Sequence, residues 1–203
     1  VAPSYFFVDI QRDQMPSFLE RVENDPAVSR IESAPMLRGV VTQINGRPAR
    51  EVAGDHWVVR GDRGLTYAGA KPDNTQVTAG TWWDEDYSGP PQISLAEEEA
   101  GELGITLGDT MTVNVLGRDI TATVTSLRSV DFSTAGMGFV IAMNENALAA
   151  APHSYRATVY AEAEAEAQML RDMAQARPNS TAIRVRDAVD RVVEILQHAA
   201  SAT

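Results

Sequence analysis

The chain has 203 residues, 28 of them acidic and 17 basic, for a net charge of −11. That length accommodates one domain or two small ones and buries roughly 70% of the surface the unfolded chain exposes. The absence of cysteine excludes disulfides and thiolate metal sites, and the acidic balance argues against nucleic acid, whose phosphates need a basic stripe.

Residues 5–10 (YFFVDI) form a near-continuous apolar run, the pattern of a strand buried on both faces. Residues 12–24 read as a helix in which Pro16 is tolerated because it lies in the first turn. Phe18, Leu19 and Val22 make its buried stripe, and Asp25-Pro26 ends it by pushing the pre-proline residue out of the helical region. Residues 28–44 are strand-rich, interrupted at Pro35 and closed by the turn signal Asn45-Gly46.

The segment 47–149 changes character: it is rich in Gly, Thr and Trp, has short alternating strands and holds one convincing helix. Within it, Trp82-Trp83 with Tyr87 is the candidate docking surface for a partner or an apolar cargo. Adjacent residues on a strand point to opposite faces, so one tryptophan is expected in the core and the other outside. The alternative is that a Pro-rich loop covers both. Further on, Ser94 and Glu97 have capping-box spacing. Leu95, Ala100 and Leu103 form a helix face, and Gly104 stands where a left-handed C-terminal residue is wanted. Met111, Val113 and Val115 alternate with polar neighbours, Gly117-Arg118 suits a two-residue turn, and Ile120, Ala122 and Val124 return as a second strand. Phe139, Ile141 and Met143, in phase with Met137, read as core.

The last third repeats the grammar of the first. Tyr155, Ala157 and Val159 mark a strand, 162–176 a helix acidic at its start and basic at its end, and 181–185 a short strand. A final amphipathic helix over 187–199 either packs on its own sheet or leads into a membrane helix. The resulting class is α+β: a split ferredoxin-like βαβ lobe from residues 1–46 and 150–203, with an inserted β-rich lobe over 47–149. No stretch approaches the ~18 apolar residues of a membrane span. The chain opens on Val1 rather than methionine, as an excised or processed segment would.

Signals for chemistry are sparse. His56, His153 and His198 stand apart from one another and from dense carboxylate clusters, so no metal site is expected. There is no nucleophile elbow and no phosphate-binding loop, and Ser88-Gly89 sits beside two prolines. The acidic groups Asp84-Glu85-Asp86 and Glu97-Glu98-Glu99 fall in polar loops or helix starts, where solvated carboxylates are expected. Arg60-Gly61-Asp62 reads as a turn, and the Glu-Ala repeat of 161–167 as a helical face. A hydrolase would need serine, histidine and aspartate to converge from distant segments. A stand-alone binding module for a small molecule or peptide would need a large apolar pocket.

Taken together, three segments carry a resemblance: residues 35–39 (PMLRG) leading to Ile44-Asn45-Gly46, residues 57–65 (WVVRGDRGL), and the helix, Leu-Gly-Asp turn and hairpin of 94–124. In this order they resemble the extracytoplasmic domain of ABC-transporter permeases of the MacB, LolC and FtsX type, and within that superfamily the YbbP-type permeases. The resemblance spans about residues 4–196. It implies a membrane-near "Porter" lobe built from both chain ends and an inserted "Sabre" lobe. It implies a non-catalytic domain at the periplasmic face of the bacterial inner membrane. ATP would be hydrolysed by a separate cytoplasmic ATPase subunit, with no cofactor in this domain. A hydrophobic cargo or a periplasmic partner such as an esterase would be handled outside.

Overall fold

The structure, a computed structural model, describes residues 5–132, 138–161 and 181–184. In chain order these form β1 (Tyr5–Ile10), α1 (Met15–Glu23), β2 (Val28–Ile44), β3 (Arg47–Pro48), α2 (Ala49–Ala53) and a 3₁₀ turn (Trp57–Val59). There follow β4 (Arg63–Ala68), β5 (Gln76–Gly80), β6 (Gln92–Ala96), α3 (Glu97–Leu103), β7 (Thr110–Val115) and β8 (Arg118–Ser129). The chain continues through β9 (Ile141–Asn144), α4 (Glu145–Leu148), β10 (Ser154–Ala161) and β11 (Thr181–Arg184). Strands dominate and helices are short, so the class is α+β. None of the described helices is long and apolar enough to cross a membrane. The helices expected over 162–176 and 187–199, with His198 and Met137, lie outside the described residues.

Two compact units divide the chain, one of residues 1–33, 134–137 and 154–203, the other of 34–133 and 138–153. In the first unit β1 lies between antiparallel neighbours, Tyr5 opposite Val159 and Phe6 opposite Ile183. Tyr5, Phe7 and Ile10 are buried with Met15, Phe18, Val22, Ala157 and Val159. Full burial on both faces was expected of β1, but the strand buries one face. Strict alternation would carry Asp9 inward after Phe7. Instead Asp9 adopts φ 54 and stays exposed, and a bulge between Phe7 and Ile10 brings the isoleucine into the core. The outward Phe6 lies under the Arg156 guanidinium, 5.9 Å from its ring centroid. Helix α1 carries Pro16 in its first turn and packs Phe18 edge-on to Phe7 at 5.0 Å. Each such fully buried aromatic stabilises the unit by about 1.5–3 kcal/mol.

The second unit closes on itself. Strand β2 pairs with β4, β4 with β9, β9 with β6, β6 with β8, β8 with β7, and β7 returns to β2. That ring is a six-stranded barrel with two parallel junctions, β4–β9 and β6–β8. Closure removes free sheet edges. The interior is filled by aliphatic residues such as Leu65, Ile93, Leu95, Met111, Val113, Val124, Ile141 and Met143, all fully buried. Strand β5 adds to β8 beyond the end of β7.

Local expectations fare unevenly here. Asn45 and Gly46 both take positive φ, 51 and 75, making the hairpin turn between β2 and β3. Gly104 is left-handed at the end of α3. Pro35, expected to interrupt β2, sits inside it, because the ladder to β4 begins only at Leu37 and no N–H is needed at the proline. The hairpin turn is Leu116-Gly117 rather than Gly117-Arg118, since Val115 pairs with Arg118. The Ser94–Glu97 capping box does not form. Ser94 is a fully buried residue of β6, its Oγ accepting from Ser126 Oγ at 2.8 Å, and helix α3 starts at Glu97 without a side-chain cap. Burial between β8 and β9 overrides the local signature.

Candidate functional site

Strand β5 ends at Gly80, whose φ of 73 breaks the pleat before Trp82. Trp82 and Trp83 are therefore in a loop, not on a strand, and their rings do not point to opposite faces. They lie side by side with centroids 4.2 Å apart. Each indole donates to the end of β4: Trp83 Nε1 to Ala68 O at 2.8 Å and Trp82 Nε1 to Gly69 O at 3.0 Å. Trp83 is buried and Trp82 half-buried. Tyr87, also half-buried, spends its hydroxyl on Pro90 O at 2.6 Å. Asn146 Nδ2 holds Gly89 O at 3.1 Å, and Asn144 Oδ1 accepts from Gln92 N at 2.7 Å, so the loop is secured at its far end. Of the three candidate residues, the structure brings the two tryptophans together, and Trp82 keeps part of its ring outside. Asp84, Glu85 and Asp86 are exposed between them and Tyr87.

Both described histidines serve the fold. His56 Nδ1 accepts from Val58 N at 3.1 Å, capping the 3₁₀ turn, which leaves Nε2–H to donate to Glu102 at 2.8 Å. His153 faces the carbonyl of Ala151 through Nδ1 at 2.6 Å, so its Nε2 accepts from the Tyr67 hydroxyl at 2.9 Å. Among the described residues no three His, Cys, Asp or Glu side chains come together as a metal cluster would require. Asp62 of the Arg60-Gly61-Asp62 turn pairs with Arg38 at 3.5 Å.

Two charged groups are buried inside the second unit, Arg128, which was not singled out from the sequence, and Glu99, which was expected to be solvated. Arg128 is 6% exposed and donates to three backbone carbonyls: Ser94 O at 2.8 Å, Val140 O at 3.4 Å and Phe139 O. Burial pulls its pKa down to about 10, with the charge of Glu99 opposing that shift. Glu99 is 7% exposed, so the expectation that all three carboxylates of Glu97-Glu98-Glu99 are solvated fails at this position. Burial raises its pKa, and the neighbouring charges of Glu98 and Glu102 add to the effect. The signal for Arg128 was present: extending the inward phase of Ile120, Ala122 and Val124 by two steps per residue reaches Ser126 and Arg128.

A second aromatic group surrounds the 3₁₀ turn. Trp57 stacks on His56 at 6.0 Å, meets the edge of Phe132 at 5.6 Å, and lies 5.6 Å below the Arg63 guanidinium carbon. Arg63 Nη2 donates to Arg60 O at 2.9 Å.

The points where the chain leaves or re-enters this unit are tied down inside it. Thr66 Oγ1 holds Pro35 O at 2.8 Å, Trp57 packs on Phe132, Arg128 binds the carbonyls of Phe139 and Val140, and Tyr67 holds His153. The points where the chain leaves and re-enters the barrel unit are thus each held by a side-chain contact within it.

Comparison with known proteins sets this chain beside an ABC transporter permease. No family model matches it. Among curated proteins it is similar to the uncharacterized ABC transporter permease YbbP of Escherichia coli (strain K12), 28% identical over 157 residues. The alignment covers 76% of this chain and 18% of that permease, so the chain spans less than a fifth of its relative. This bears out the resemblance drawn from the three sequence segments. Among solved structures, a domain of a Porphyromonas gingivalis protein assigned as a permease aligns with TM-score 0.48 and 12% identity, covering 89% of this chain and 87% of that one.

Proposed function

We propose that this chain is a non-catalytic, extracytoplasmic domain of an ABC-transporter permease, at the periplasmic face of a bacterial inner membrane. A separate cytoplasmic subunit hydrolyses ATP, and the membrane helices of the parent protein pass the resulting motion to this domain. The domain uses that motion to handle a hydrophobic cargo or to dock a periplasmic protein such as an esterase. The observation that carries the reading is the 157-residue alignment with YbbP. Its mechanical part is supported by the closed barrel with pinned exits, which suits a lever better than a deformable cleft.

Trp82 is the docking residue this reading favours, because Trp83 is spent on the core and Tyr87 on its own loop. Half-exposed tryptophan with a satisfied N–H offers a rigid apolar face to a partner at low entropic cost.

The test is topological. Alkaline phosphatase fused within this segment of the full-length permease is active only outside the cytoplasm, and strong activity is expected. Activity of a cytoplasmic reporter at the same position would overturn the reading. Hydrolysis of ester or peptide substrates by the purified chain would overturn its non-catalytic part.

A further inference from the structure

We propose that Arg63, Trp57 and Phe132, with the exposed Arg60 on the same turn, form a binding site for a monomeric anionic amphiphile, a carboxylate or phosphate carried on an alkyl chain. The inference rests on the reading above and gives the chemical class of the hydrophobic cargo.

Charge is the first ground. In a chain with 28 acidic and 17 basic residues, an arginine is expected to find a carboxylate. Arg30, Arg38 and Arg50 do so, with Glu32, Asp62 and Asp55, whereas Arg12, Arg47 and Arg118 stand singly without one among the described residues. Arg60 and Arg63 have no such partner within salt-bridge distance among the described residues. The intervening Asp62 is already engaged by Arg38 at 3.5 Å. The turn therefore carries two arginines without a carboxylate partner three positions apart, on a protein that is acidic as a whole.

Hydrogen bonding is the second. Arg63 gives Nη2 to the Arg60 carbonyl, while its Nε is buried with no acceptor. A buried donor left unpaired is costly, and a guanidinium in that position is completed by an incoming oxyanion once the side chain shifts to meet it.

The third ground is the apolar wall beside these charges. Phe132 is 43% exposed, one of three large hydrophobic residues so exposed among those described, and its ring meets Trp57 edge-on at 5.6 Å. Arg63 lies over the other ring of that pair. A cationic head group next to a half-open aromatic surface matches a ligand that is anionic at one end and alkyl at the other. Simple anions would leave the wall unused.

The experiment titrates the purified 203-residue chain with dodecanoate and dodecyl phosphate below their micellar concentrations, following binding by calorimetry. Saturable binding at one site is expected, with acetate and inorganic phosphate weaker by a hundredfold or more and dodecyltrimethylammonium not competing. Arg63→Gln is expected to weaken dodecanoate at least about tenfold, and Phe132→Ala to weaken the dodecyl ligands while leaving acetate unchanged. Arg60→Gln provides a second charge variant should Arg63→Gln fail to fold, and a several-fold loss is expected. Equal affinity for the cationic amphiphile, or unchanged dodecanoate affinity in both arginine variants, would overturn the proposal. Retention on phosphatidylglycerol vesicles without saturable binding of the monomer would also overturn it, making the patch a bilayer contact. These outcomes are independent of the reporter fusion, so failure here leaves the permease reading standing, and failure there leaves the amphiphile site standing.

Discussion

The phenol of Tyr67 and the imidazole of His153 meet edge to face, their ring centroids 5.2 Å apart and their planes at 89°, with the hydroxyl bonded to Nε2. Tyr67 lies on β4 and His153 is the last residue of the barrel unit before the chain passes to β10. The bond therefore ties an exit of the unit to its sheet. Tyr67→Phe keeps the ring contact and removes the hydroxyl, so a loss of about 1 kcal/mol is expected. Urea unfolding would show a lower midpoint with unchanged slope. An unchanged midpoint would mean that the link contributes nothing.

Leu116 predicts the opposite sign. It occupies the first central position of the β7–β8 turn at φ 51, is 72% exposed, and is followed by Gly117 at φ 85. A leucine in the left-handed region costs roughly 1–2 kcal/mol. The other two-residue turn of this kind in the unit uses Asn45-Gly46. Leu116→Asn should therefore raise stability by about 0.5–1 kcal/mol, measured as a higher melting temperature. A lower one would mean that the leucine makes a contact worth more than its strain.

Glu99 gives a pH dependence. Its folded-state pKa is raised by burial, so the native state binds the proton more tightly than the unfolded state does. Stability is then greatest below the ordinary glutamate value and declines as pH rises from there through the folded value. Glu99→Gln removes this slope, so the stability of the variant relative to wild type should increase as pH is raised from 4 to 7. Parallel curves for the two proteins would show that Glu99 does not titrate differently on folding.

The tryptophan pair separates structure from docking. Trp83 is 6% exposed, and Trp83→Ala is expected to cost about 3–5 kcal/mol. Trp82→Ala should cost distinctly less, because part of the ring already faces solvent, yet under the proposed function it should reduce capture of a partner by the parent protein. Comparable destabilisation by both substitutions would make Trp82 a core residue and remove it as a docking candidate.

Patterns that depend on nearest neighbours were determined by the sequence alone. The β7–β8 alternation, the proline in the first turn of α1, the Asn45-Gly46 turn and the left-handed Gly104 need only the period of a strand, the sterics of one ring and the freedom of a missing or compact side chain. The three segments that carry the resemblance were legible for the same reason: they are contiguous stretches of chain. Tertiary structure decided the rest. Ser94 and Glu97 carry the letters of a helix cap, but a strand slot between β8 and β9 removes Ser94 from any helix end. The barrel closes because Leu65 pairs with Ile141 and Ile93 with Val124 in parallel registers, and no local signal names a partner so distant along the chain. Arg128 shares the inward phase of its aliphatic neighbours and finds three carbonyls there, a set of acceptors that exists only once β6, β8 and the segment before β9 have met. Local conformational preference is written residue by residue; burial, pairing and the company of a charge depend on what the folded chain brings alongside.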